Sequence, residues 1–449
     1  MQMMKWSVIA LAVAAGTSQM ALASSQSDSK GFVEDSSLNI LSRNLYINRD
    51  YHRGGSAANY EVTESANPAG YTAEWGQGFI GTFESGFTEG TVGFGADAYG
   101  LLGIKLDSGK GRAGILEMQQ DHDGRTSDEY GEAGAAVKVR VSNSVLKYGD
   151  QFVALPVFST DDSRLLPEAT TGTLLTSTEI EGLEINAGRF TALNQQWETN
   201  RDSSGMESIN VLGGSYSFTD ELSVSLYGSD LEDAFQKAYA NVNFTLPLAD
   251  ERSLNFDFNL YNTDYEKDYV QAATTVEEDD GTITDPGVRE NRENTIWSLA
   301  AGYTFGAHTL TLAHQRSTGD AGYDYGADGG GTIWLANSIQ VKDFNAEDET
   351  SWQARYDLDM ATFGVPGLSF MARYVAGDNA TLYEGTTQIA DDASRWERNF
   401  EAKYVVQEGA AKDLSLRLRQ ATVRSDEAFG SSNDLEDVRV IVEYPLSIL

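Results

Sequence analysis

The stretch that most constrains the fold lies near the end of the chain, Asp413-Leu414-Ser415-Leu416-Arg417-Leu418-Arg419-Gln420. Successive side chains of a β-strand project to opposite faces, so the three leucines share one face and Ser415, Arg417 and Arg419 share the other. A soluble sandwich turns such an apolar face inward. A transmembrane barrel turns it outward to lipid and lines a wet lumen with the polar face. The rest of the chain decides between these arrangements.

The first residues, Met1 to Trp6, carry a lysine; Ser7 to Gly16 is nearly free of polarity, and Ala21-Leu22-Ala23 follows. That order reads as an export signal over 1–23, cut after Ala23 and leaving 24–449 as a single barrel domain. Its apolar run is too short to span a bilayer, and no other run of about twenty apolar residues occurs, which excludes an α-helical membrane protein. The sequence has no cysteine, so stability has to come from backbone hydrogen bonding rather than disulfides. A net charge of -36 argues against nucleic acid as a partner. It does not argue against a membrane barrel, because only alternate residues of such a barrel meet lipid.

Alternation recurs along the chain. Tyr71 to Leu106 carries Trp75, Phe79, Phe83 and Phe87, then Val92, Phe94, Ala96 and Ala98, and reads as two strands about a turn near 84–90. Ala135, Val137, Val139 and Val141 oppose Lys138 and Arg140; Ala238 to Leu246 opposes Lys237 to Asn243; Leu254 to Leu260 opposes Asn255 to Asn259. The segment 31–50 is a first strand whose facing its pattern does not set. Tight turns at 180–183, 218–221, 305–308 and 363–367 alternate with long polar connections at 51–70, 107–132, 150–172, 192–207, 265–292, 317–349, 377–394 and 424–435. Short turns at one end and long loops at the other are the mark of an outer-membrane barrel, here of about eighteen strands. A solenoid would show a fixed repeat, which is absent.

Parity then places charge. Trp352, Ala354, Tyr356 and Leu358 form one outward set, sending Arg355 and Asp357 inward; the same logic sends Arg373, Glu401 and Lys403, Arg417 and Arg419, and Arg439 and Glu443 to the lumen. Arg43 and Arg49 extend this wall if the first strand pairs with the last. Guanidinium groups match carboxylates in bidentate geometry, so such a basic ladder suits small anions or the carboxylate end of a zwitterion. The competing reading is that each arginine only solvates the lumen or balances Asp357, Glu401 and Glu443.

The segment 150–172 is apolar for an exposed loop, with Phe152, Leu155, Val157, Phe158, Leu165 and Leu166, and is expected to fold inward and narrow the lumen. The chain here closely resembles the OprD-type family of substrate-specific outer-membrane channels. The matching residues are Gly31 to Ser37 with Arg43-Asn44 and Asn48-Arg49-Asp50, Leu155-Pro156-Val157 with Thr160-Asp161-Asp162-Ser163-Arg164-Leu165-Leu166-Pro167, and Glu443-Tyr444-Pro445-Leu446. The resemblance implies an eighteen-stranded barrel in the bacterial outer membrane, a monomer or loose homotrimer, passing small carboxylate-bearing nutrients through an eyelet. The inward third loop, with Asp161, Asp162, Ser163 and Arg164, would form one side. A Ser and an Asp of the seventh loop would form the other, for which Ser338 and Asp343 are the candidates. Leu449 departs from the aromatic residue with which many such barrels end.

No cofactor or metal site is expected, since no metal-ligand spacing appears. The four histidines, His52, His122, His308 and His314, sit in no catalytic motif, which leaves a barrel enzyme a remote alternative. A non-selective diffusion porin is the nearer rival. Outer-membrane lipid and lipopolysaccharide are expected partners of the wall, and the run Glu277-Glu278-Asp279-Asp280 reads as a solvated acidic loop.

Overall fold

The structure, a computed structural model, describes residues 25–52, 70–109, 111–116, 118–120, 125–267, 269, 276–277, 283–284, 289, 292–430 and 433–449. The expected signal peptide, 53–69 and 278–280 of the acidic run lie outside the described residues.

Eighteen antiparallel strands form one sheet. They are β1 Ser37–Tyr51, β2 Tyr71–Glu84, β3 Val92–Asp107, β4 Glu129–Val141, β5 Ser144–Gln151, β6 Ala169–Ile180, β7 Leu183–Asn194, β8 Ile209–Ser217 and β9 Leu222–Leu231. They continue as β10 Phe235–Pro247, β11 Arg252–Tyr265, β12 Glu293–Phe305, β13 His308–Gly319, β14 Thr350–Asp359, β15 Leu368–Glu384, β16 Thr387–Val405, β17 Ser415–Ser425 and β18 Leu435–Ser447. Each pairs with the next, and β1 pairs with β18 from Asn39↔Ser447 to Tyr51↔Leu435, so no sheet edge is left open.

The opening stretch shows which way the barrel faces. Leu416 and Leu418 are 44% and 51% exposed on the outer surface. The side chains of Arg417 and Arg419, 23% and 18% exposed, point into the lumen. Trp352, Tyr374, Phe400 and Val440 continue the outer apolar band on neighbouring strands. His308 and His314 also belong to this outer surface, stacked among Phe305, Tyr356, Trp297 and Trp352.

At one end the connections are tight, as at Glu181-Gly182, where Gly182 takes a left-handed φ of +77° that a side chain would resist. At the other end lie the long loops 152–168 and 320–349. One expected connection is corrected. The segment 377–394 is not a loop, because β15 and β16 stay paired out to Glu384↔Thr387. Register shifts after Gly377 break the strict alternation, and above the lipid band both faces of a strand can be polar, so the period-two signal fades there.

The facing of β1 is settled by its neighbours. Arg43, Leu45, Ile47 and Arg49 share the lumenal face, and Leu45 and Ile47 are buried. Those two apolar residues on the wet side are why the pattern of 31–50 is not clean. They belong to a cluster with Ile80, Tyr99, Leu101, Leu116, Met118, Leu165 and Leu166. A second cluster joins Val153, Leu155, Val157 and Phe158 to Phe190, Leu193, Ile209, Tyr239 and Tyr261. The third loop therefore lies inside the barrel, with Val157 and Phe158 fully buried and the Phe158 ring 4.5 Å from that of Phe190. Removing that apolar surface from water holds the loop in the lumen.

Candidate functional site

A cavity of about 2870 Å³ runs between the two ends, lined at the loop end by Trp197 and Tyr269 and at the turn end by Asp413 and Ser447. Arg355, Arg373, Lys403, Arg419 and Arg439 line it, as do Asp161, Asp162, Ser163, Arg164, Ser338 and Asp343.

The expected basic residues do not form equivalent rungs. Arg43 is 2% exposed and works as a loop anchor. Its Nη1 and Nη2 donate to the Asp162 carboxylate at 2.6 and 3.0 Å, Nη1 also to the Arg164 carbonyl at 2.9 Å, and Nε to Glu443 at 2.8 Å. Arg49 and Arg439 share Asp437, and Arg439 Nη2 donates to the Gln340 carbonyl of the seventh loop at 3.0 Å. Arg355 is held bidentate by Asp357 on its own strand, both bonds 2.7 Å. Arg417 and Arg419 converge on Glu401, at 2.8 and 3.2 Å. Arg373 donates to Asn399 at 2.9 Å. Neither Arg373 nor Lys403 has an ion-pair partner among the described residues.

Register adds what parity alone does not show. Arg355 stands opposite Arg373, Lys403 opposite Arg417, and Arg419 opposite Arg439. Like charges facing each other across a ladder are destabilising. Three such pairs on five consecutive strands concentrate positive charge on one wall of the lumen.

The third and seventh loops both contribute to the lining of the cavity. On the third loop, Ser163 Oγ donates to Asp161 Oδ2 at 2.6 Å, and Arg164 Nη1 donates to Ser163 Oγ at 2.8 Å. On the seventh, Asp343 accepts from Ser338 Oγ and from the Tyr325 hydroxyl, both at 2.6 Å. The Asp343 charge, and then burial, push the Tyr325 phenol above its usual range, so it remains a donor. Ser338 and Asp343, paired only by resemblance in the sequence, thus meet in space. Tyr325 was not foreseen, because a loop tyrosine carries no periodic signal.

A family model described as outer membrane porin, OprD family, matches residues 30–448. The chain belongs to the OprD family. It is 45% identical over 478 residues to Porin D of Pseudomonas aeruginosa, covering 100% of both chains. Among solved structures it resembles OccAB1 of Acinetobacter baumannii, with a TM-score of 0.85, 35% identity and coverage of 95% of this chain and 100% of that one. It also resembles OpdK of Pseudomonas aeruginosa, solved with vanillate, with a TM-score of 0.74, 32% identity and coverage of 93% and 100%. OprD-family membership and the closed barrel place the chain in the bacterial outer membrane as a substrate-specific porin for small solutes. OprD-family proteins are channels, which disposes of the enzyme reading.

Proposed function

We propose that this porin takes up small carboxylate-bearing nutrients, amino acids or organic and aromatic acids, guided along the basic wall of β14–β18 and through the narrowing between the third and seventh loops. The observation that carries the reading is the register of the wall. Arg355/Arg373, Lys403/Arg417 and Arg419/Arg439 each set cation against cation, and Arg373 and Lys403 have no ion-pair partner among the described residues. The lumenal face of β10 and β11 differs, lined by Asn241, Asn243, Asn255 and Asn259 around a single carboxylate, Asp257, to which Asn241, Asn243 and Asn259 donate. Repelling cations on neighbouring strands cost stability and favour an arriving carboxylate that relieves them. Vanillate, the compound in the OpdK structure, is a carboxylate. Arg43 acts through the third loop, and the rungs a carboxylate would meet are Arg439, Arg419, Arg417, Arg373, Arg355 and Lys403.

The test is block of single-channel current by a small aromatic carboxylate in planar bilayers. Replacing Arg417 and Arg419 together with glutamine should weaken the block and lower anion preference. Block unchanged in that variant would remove the wall from the mechanism and leave a non-selective pore.

A further inference from the structure

Lys237 on β10 lies outside the basic wall, and its ion pair with Asp328 of the seventh loop has both side chains fully buried. Its ammonium also donates to the Tyr323 hydroxyl and the Asp324 carbonyl, both at 3.2 Å, and sits over the rings of Phe235 and Tyr323. Asp328 is satisfied on its other oxygen by Thr332 Oγ1 at 2.8 Å. A buried ion pair is retained at a desolvation cost, and here its hydrogen-bond partners Tyr323, Asp324 and Thr332 all belong to the seventh loop.

The turn that Asp328 opens is Gly329-Gly330-Gly331, and it packs backbone to backbone on the third loop. Ser159 N donates to the Asp328 carbonyl at 3.2 Å and Gly331 N to the Ser159 carbonyl at 3.1 Å. Gly330 N donates to Glu168 Oε2 at 2.9 Å, and the same oxygen accepts from Asp161 N at 2.7 Å. A Cβ on Gly329 would lie 2.0 Å from the Ser159 carbonyl oxygen, and one on Gly330 would lie 2.8 Å from Asp161 Cβ. Only glycine permits this approach.

We propose that Lys237 is a positioning residue for the pore. Through Asp328 it fixes the glycine turn of the seventh loop, and that turn fixes Asp161 at the edge of the narrowing. The bore is thus held from two sides, by Arg43 on Asp162 and by Lys237 through Asp328, Ser159 and Glu168. The inference concerns the conductance of a simple salt and holds whichever solute the channel prefers.

The experiment measures single-channel conductance in potassium chloride for Lys237→Met and for Asp328→Asn, with barrel integrity checked by heat-modifiable mobility. Loss of the tether should raise conductance by about twofold or more, because the narrowest segment dominates pore resistance. Because Lys237 acts through Asp328, the double variant Lys237→Met/Asp328→Asn should conduct like each single variant rather than with the sum of their effects. A folded Lys237→Met or Asp328→Asn barrel with unaltered conductance would overturn the proposal, as would single effects that simply add in the double variant. If Lys237→Met does not assemble, Asp328→Asn reads the same quantities with the lysine volume kept.

Discussion

Arg355 and Arg373 face one another across β14 and β15, two guanidinium groups on the lumenal side with Asp357 holding only the first. The second is stabilised by a single neutral acceptor, Asn399. This placement separates channel function from barrel stability. Arg373→Gln should leave heat resistance unchanged or slightly raised, since it removes a like-charge pair. It should weaken carboxylate block by roughly tenfold, the equivalent of one lost charge-assisted contact of about 1.4 kcal/mol. Titrating block of single-channel current and comparing melting of the two proteins checks both halves. A variant that loses stability in step with block would make Arg373 a structural residue.

Glu401 is the carboxylate that Arg417 and Arg419 share. Its removal acts in the opposite direction from removal of either arginine. Glu401→Gln should shift the reversal potential in a salt gradient toward greater anion preference, and should lower stability by about 1–3 kcal/mol because two partly buried cations lose the acceptor they share. Arg417→Gln should shift the reversal potential the other way. Measured in the same gradient, the two shifts have opposite signs if this wall sets selectivity.

Much of this was legible in the chain. Parity assigned Arg373, Lys403, Arg417 and Arg419 to the lumen because their strands lie within the lipid band, where one face must be apolar. It could not assign register, so the facing of Arg419 and Arg439, or of Lys403 and Arg417, was invisible. Nor could it show that Arg43 grips Asp162, 119 residues away, or that Lys237 grips Asp328, 91 residues away. Such contacts depend on how loops re-enter the barrel, and loops have no periodicity to read. The first strand was ambiguous for the same reason: Leu45 and Ile47 are apolar for the loops that cover them.

The third loop supplies a further expectation. Its apolar face is committed to the inner wall at Phe190, Ile209 and Tyr261 on one side and Leu45, Ile47 and Leu101 on the other. Deleting Leu155 to Pro167 removes that packing and the Asp161 edge together. Conductance should rise by about twofold or more, with carboxylate block reduced, because the remaining lumen is wider than the narrowing. Planar-bilayer recordings of the deletion decide it. Unaltered conductance would mean the loop does not set the bore.

Lys342 gives the seventh loop a pH dependence. It lies between Asp343 and the Glu397 contact of its own backbone N–H, and its ammonium donates to Asn433. Burial, followed by the positive charges of Arg395 and Arg49, depresses it to about 8, against the pull of Asp343 and Glu397. A lysine depressed on docking favours the docked loop most when it is neutral in both states, at pH above its free value of about 10.4. That advantage is lost as pH falls through about 8, where the docked loop must take up a proton at an unfavourable site. Protease cleavage within 333–343 should therefore slow as pH rises from about 7 toward 10, relative to Lys342→Met at each pH, which cancels the protease's own pH dependence. A ratio that stays flat over that window would show that the protonation of Lys342 does not govern how the seventh loop is held.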